Sequence, residues 1–245
     1  MIRKSLLLTA ALALSTSALS AGLVWTPQQN FSYSNLPNNT VPFPDQSIII
    51  TPFDTNLGPL TAVRFHLTGT INGSQSVDND DTQSVNATVT SAITMTLSLD
   101  AFGNLVVAIP TETHNPTLGA DDGGPIYTGA DSFTNAFSGV TDSATQIFNL
   151  AHYQTVNGPV LGPLFWAAFQ DQFDGPGNIT LDLTSSGVTQ ASGGGNLNSN
   201  FQTFGSVQGY VQYQYDSPVP EPGTYAMLGG GLAFLGLIGR RRRAQ

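Results

Sequence analysis

The chain has 245 residues, 40% of them hydrophobic and only 9% charged, with 26 glycines, 15 prolines and no cysteine. The missing cysteine excludes disulfide staples, thiol nucleophiles and thiolate metal sites. Six of the seven basic residues (Arg3, Lys4 and Arg240 to Arg243) are terminal, so over residues 21–219 Arg64 alone faces fifteen acids; that balance of −14 cannot neutralise phosphates and excludes nucleic acid as a partner.

The first 20 residues read as a signal peptide. Arg3 and Lys4 form a positive start, residues 6–14 an apolar run, and Ala18-Leu19-Ser20 a small-residue site suited to signal peptidase cleavage before Ala21. An interfacial amphipathic helix does not fit, because the run has no polar face. Export is the expectation.

Residues 21–216 are long enough for one sizeable core and short for two. Their periodicity predicts strands nearly throughout. In 63–71, Val63, Phe65, Leu67 and Ile71 alternate with Arg64, His66, Thr68 and Thr70. In 85–99, Val85, Ala87, Val89, Ile93, Met95, Leu97 and Leu99 point one way and a row of Asn, Thr and Ser the other. That is the pattern of a sheet buried on one face. Val207, Val211, Tyr213 and Tyr215 alternate with Gln208, Gln212 and Gln214 in the same manner. Shorter candidate strands are 47–51, 105–109, 164–170 and 179–183. Residues 142–152 are the one short helix candidate, and 192–200, rich in Gly, Asn and Ser, reads as a mobile loop. Turn clusters such as Asp121-Asp122-Gly123-Gly124-Pro125 and Asp174-Gly175-Pro176-Gly177-Asn178 separate the strands. The expected fold is all-β, an antiparallel, jelly-roll-like β-sandwich.

Residues 217–245 have a different character. Val219-Pro220-Glu221-Pro222 is extended and short of donors. An uncharged apolar stretch follows over 225–238, a short hydrophobic helix by expectation. Arg240, Arg241, Arg242 and Arg243 then form a basic stop that belongs on the cytoplasmic side of a membrane. The stretch is short against the ~20 residues of a membrane-crossing helix, and it contains Gly229, Gly230, Gly231 and Gly236. A transient anchor fits it better than a lasting one.

This tripartite ending resembles the PEP-CTERM sorting signal of Gram-negative bacteria. The resemblance implies transient insertion in the inner membrane, removal of the tail by an exosortase, and a producing cell that also secretes exopolysaccharide. A second resemblance rests on Phe53-Asp54-Thr55-Asn56-Leu57-Gly58-Pro59-Leu60-Thr61-Ala62-Val63, which is similar to the opening motif of the choice-of-anchor E domain, a β-rich extracellular module.

Residues that could carry chemistry are sparse. Asp78, Asp80 and Asp81 form the densest oxygen cluster and could ligate calcium, although the glycine and terminal glutamate of an EF-hand loop are missing. An acidic hairpin tip that discourages edge-to-edge pairing fits the same residues. Asp121-Asp122 has the same two readings. His66, His114 and His152 share no ligand spacing. Asp171 and Asp174 near Trp166 and Phe169, with Glu112 elsewhere, are the acids a glycosidase would need. Tyr210, on the polar side of its strand, points weakly to sugar stacking. The expectation is a non-catalytic surface or matrix protein, structural or adhesive in an exopolysaccharide layer. A carbohydrate-binding module is the alternative and a secreted glycan hydrolase the third reading.

Overall fold

Apolar–hydroxyl alternation becomes strand along most of the chain in the computed structural model, which describes residues 22–37 and 46–217. The expected signal peptide (1–20) and the sorting segment with its hydrophobic helix (218–245) lie outside the described residues. The strands are β1 (Leu23–Trp25), β2 (Gln29–Pro37), β3 (Gln46–Ile50), β4 (Leu60–Asn79), β5 (Val85–Leu99), β6 (Gly103–Ala108), β7 (Thr111–His114), β8 (Thr117–Leu118), β9 (Ser132–Asn149), β10 (Ile179–Gly193) and β11 (Leu197–Asp216). One helix, α1 (Leu150–Phe173), stands between β9 and β10.

Two antiparallel sheets result. The first runs β1-β11-β4-β9, with β2 also paired to β11; the second runs β3-β10-β5-β6, with β7 and β8 also paired to β5. Most neighbours in a sheet are distant in sequence, so the chain shuttles between layers, as in a jelly roll. The edge formed by β6, β7 and β8 is one interrupted strand along β5. Pro110 and Pro116 interrupt it because they lack the N–H that a ladder requires. Their carbonyls still accept from Ile93 N (3.3 Å) and Ala87 N (2.9 Å).

The inward residues of the two sheets meet in one main core. Val63, Phe65 and Leu67 of β4 are fully buried, as are Met95 and Leu97 of β5 and Val207 and Val211 of β11. Each such side chain contributes roughly 1.5–3 kcal/mol. Gly69 marks a close approach of the layers: a Cβ there would stand 2.7 Å from Met95 Sδ.

The Phe53–Val63 motif forms a tight entry into β4. Asp54 Oδ1 accepts from Asn56 N at 3.0 Å and caps a 3-10 turn over Thr55–Leu57. Gly58, at φ 130°, then turns the chain into the strand.

Three sequence expectations are corrected. Residues 142–149 belong to β9, not to a short helix, because their Cα partners run along β4 from Gly69 back to Ala62. The helix starts afterwards, with Asn149 Oδ1 accepting from His152 N at 2.8 Å as its N-cap. Residues 164–170 lie inside α1 rather than in a strand. A short apolar run cannot be assigned by periodicity alone, and here Gly158, Pro159 and Pro163 obscured the helical pattern. Gly158 sits at φ 80°, ψ 168° and splits α1 into two segments, with Pro159 opening the second. Finally, 192–200 is no long loop. It is the end of β10, a turn at residues 194–196 and the start of β11.

Candidate functional site

The long central strands give the domain two chemically different poles. β4 has 20 residues, which at about 3.3 Å per residue sets its ends on the order of 60 Å apart. At one end Leu23 pairs with Asp216, and the amide of Ser217 donates to the Gly22 carbonyl at 3.4 Å. Helix α1 covers the same end: Gln170 Nε2 donates to the Leu60 carbonyl at 2.7 Å, and Phe53 N to the Phe173 carbonyl at 2.8 Å. The basic residue of the domain is here too, with the Arg64 guanidinium 3.9 Å from the centre of the Trp25 ring.

The other pole is acidic. It comprises the β4–β5 connection and the 119–131 segment between β8 and β9. Backbone hydrogen bonds fasten the two together: Asn79 N to Asp131 O (3.0 Å) and Asp121 N to Asp81 O (2.8 Å). The buried Asn79 side chain bridges them again through Nδ2, which donates to the Gln83 carbonyl at 2.8 Å and the Gly119 carbonyl at 2.6 Å.

Here Asp121, Asp122 and Asp131 converge, each offering one oxygen within 4.8 Å of the others. Asp121 Oδ1 accepts from Gly123 N (2.8 Å), Asp122 Oδ1 from Gly124 N (2.8 Å), and Asp131 Oδ2 from Asp122 N (3.0 Å). Asp78 stands beside them, 5% exposed, with Oδ1 accepting from Tyr127 N at 3.2 Å. Burial raises the Asp78 carboxyl above its ordinary range. The Tyr127 hydrogen bond opposes that rise, and the charges of Asp131, Asp80 and Asp121 add to it. Tyr127 is the non-glycine residue with positive φ (64°) among the described residues. Such a conformation is uncommon for a bulky side chain.

The predicted oxygen cluster is therefore redistributed. Asp78 does reach the acidic pole, but Asp80 turns to Asn198 Nδ2, and Asp81 has Thr82 Oγ1 at 3.5 Å. The converging set is completed by Asp131, which sequence reading missed. Nothing local distinguishes Asp131, because its role arises from chain return at the start of β9.

The other candidates are scattered. His66 lies on the polar face of β4, with Nδ1 2.8 Å from Thr145 Oγ1, Nε2 3.1 Å from Thr68 Oγ1, and its ring stacked on Tyr210. His114 Nε2 is 2.6 Å from Glu112 Oε1. Burial lowers the pKa of His152, which packs on Phe148. Glu112 belongs to β7, whereas Asp171 is in α1 and Asp174 caps its end. Trp166 and Phe169 are core residues, 8% and 0% exposed, so they edge no sugar cleft beside Asp171. Tyr213 is also core, as its strand phase predicts. An open cleft of about 440 Å³ is lined by Asn30, Phe31, Ser32, Gln208 and Gly209.

No curated protein matches the chain. Among solved structures, a T=1 particle derived from infectious bursal virus aligns at 11% identity over 81% of this chain and 36% of that chain, with a TM-score of 0.20. The Gx strain of infectious bursal disease virus aligns at 8% identity over 79% and 38%, with a TM-score of 0.15. The chain thus spans little more than a third of those chains, and superpositions this loose define no common fold. Residues 218–243 match the family model of the PEP-CTERM protein-sorting motif. The matched residues begin immediately after Ser217, at the pole where β1 and β11 meet. The chain therefore carries a PEP-CTERM protein-sorting motif directly after β11, and that motif indicates a bacterial protein that is exported and sorted to the cell surface by an exosortase.

Proposed function

We propose that the sorted protein is a non-catalytic structural or adhesive component of an exopolysaccharide-rich layer on a Gram-negative cell, its apolar tail held in the inner membrane only until cleavage. One observation carries this reading: the sorting segment leaves from the pole that holds Gly22 and Ser217, while the acidic residues cluster at the far ends of β4 and β9. Attachment at one pole and presentation of the other suits a surface spacer. The choice-of-anchor E resemblance of residues 53–63 agrees with such a module. Intact-mass measurement of the protein from membrane, surface and matrix fractions tests the reading. A mass ending near Val219 to Pro222 in matrix material supports it. A mass running through Gln245 in membranes alone refutes it.

The cleft beside β2 supports a second reading, a carbohydrate-binding module. The amide and hydroxyl side chains of Asn30, Ser32 and Gln208 that line it are the chemistry that sugars use. Saturable binding of one defined glycan, lost on Gln208→Ala, would favour this over a purely structural role.

A further inference from the structure

We propose that Asp121, Asp122 and Asp131, with Asp78 beside them, form a calcium site that fastens the 119–131 segment to the end of β4. Three independent features of the acidic pole support a bound cation there.

The first is an unpartnered oxygen. Asp131 is 3% exposed, and its Oδ1 is buried without a hydrogen-bond partner, although its Oδ2 accepts from Asp122 N at 3.0 Å. A buried carboxylate oxygen left without a donor is unfavourable unless a cation satisfies it.

The second is direction. Gly129 has φ 96°, and a Cβ placed on it would overlap Asp122 Oδ2 and stand 2.8 Å from Asp131 Oδ1. The two oxygens therefore approach the same space over the glycine. Their partner oxygens, Asp122 Oδ1 and Asp131 Oδ2, are the ones held by loop amides. In Asp121, likewise, Oδ1 is held by Gly123 N and Oδ2 is left over. Each carboxylate is thus oriented by one amide and presents its second oxygen.

The third is charge. Arg64, the basic residue of the described domain, is engaged with Trp25 and Gln212 at the opposite end of β4. No lysine or arginine neutralises the cluster among the described residues.

The donor set selects the ion. All donors are hard oxygens, with neither imidazole nor thiolate, which suits calcium or magnesium and not zinc or copper. The three oxygens lie within 4.8 Å of one another, close enough for one ion with bonds of about 2.4 Å, the calcium distance, to reach all three. Magnesium requires bonds of about 2.1 Å and near-ideal octahedral geometry. An irregular set of carboxylates on a loop fits calcium better.

The test is titration of the full exported protein, freed of metal with EDTA, with calcium chloride and, separately, magnesium chloride. Isothermal calorimetry and thermal melting are the readouts. Binding of one calcium per chain is expected, with a rise in melting temperature of about 5–10 °C at calcium a hundredfold above Kd. Magnesium should give a much smaller rise. Asp131→Asn should melt at or above the parent in EDTA, since a repelling charge is gone, yet lose the calcium-dependent rise. Asp171→Asn, remote from the pole, should keep it. Absence of saturable calcium binding, an equal response to magnesium, or a calcium rise retained in Asp131→Asn would each overturn the proposal. It is independent of the matrix reading, which stands or falls on the processed mass.

Discussion

The amide of Ser217 donates to the carbonyl of Gly22 across 3.4 Å, so both ends of the described domain leave from one pole. Ser217, after which the sorting motif begins, therefore lies at the end of β4 opposite the acidic carboxylates.

That arrangement predicts that sorting and folding are separable. Replacing Pro220, Glu221 and Pro222 with alanine should leave the protein exported and folded, but retained in membranes with its tail uncut. Intact mass by fraction reads the outcome. Unchanged processing would count against the motif as the recognised element.

Helix α1 gives a sharp contrast between its two sides. Phe169 is fully buried among Phe148, Tyr153, Trp166 and Phe173, and Phe169→Ala should destabilise by about 3–5 kcal/mol. Val160 is 80% exposed, and Val160→Ser should stay within about 0.5 kcal/mol of the parent. Urea midpoints of the two variants decide the matter, and equal losses would contradict the placement of the helix.

At Gly209 the β2 and β4 neighbours of β11 come close together. A Cβ there would overlap the Phe31 ring and lie 2.5 Å from the His66 carbonyl oxygen. Gly209→Ala should therefore lower stability by about 1–3 kcal/mol, the usual range for overpacking. It should also disturb the neighbouring cleft. A melting temperature equal to the parent's would show that β2 yields without cost.

Asp174 sets a pH dependence. Burial, reinforced by the charge of Asp171, raises its carboxyl above the ordinary value of 3.8, and Asp174 Oδ1 is buried without a partner. The folded state therefore holds the proton more tightly than the unfolded state. This contribution is fully present below pH 3.8 and is lost as pH rises through the raised value. Asp174→Asn should retain it. The variant should be more stable than the parent at pH 7 and match it near pH 3, as read from denaturant midpoints. A variant less stable than the parent at pH 7 would refute this assignment.

Much of the sheet was legible because period two is a local property. Residues 85–99 became β5 with those bounds, and Val63, Phe65 and Leu67 face the core as their phase requires. The helix was not legible. In α1 a glycine break and two prolines disrupt the apolar spacing, and the run around Trp166 has strand-like composition. Residues 142–149 show the reverse: their composition allowed a helix, and hydrogen bonding along β4 decided for strand.

The acidic pole divides in the same manner. The Asp78–Asp81 run is visible in the sequence, and so is Asp121-Asp122. Asp131 and the turning away of Asp80 are not, because both depend on where β9 returns beside β4 and where β11 places Asn198.

The sequence by itself determined the handling of this protein and its material. Export and sorting are written in contiguous residues read by processing enzymes, and the lopsided charge and absent cysteine follow from composition alone. Only the tertiary structure decided which pole holds both Gly22 and Ser217, which carboxylates converge and which aromatics are buried. Those relations join residues tens of positions apart, and their distances are set by strand register and sheet packing, which no local pattern encodes.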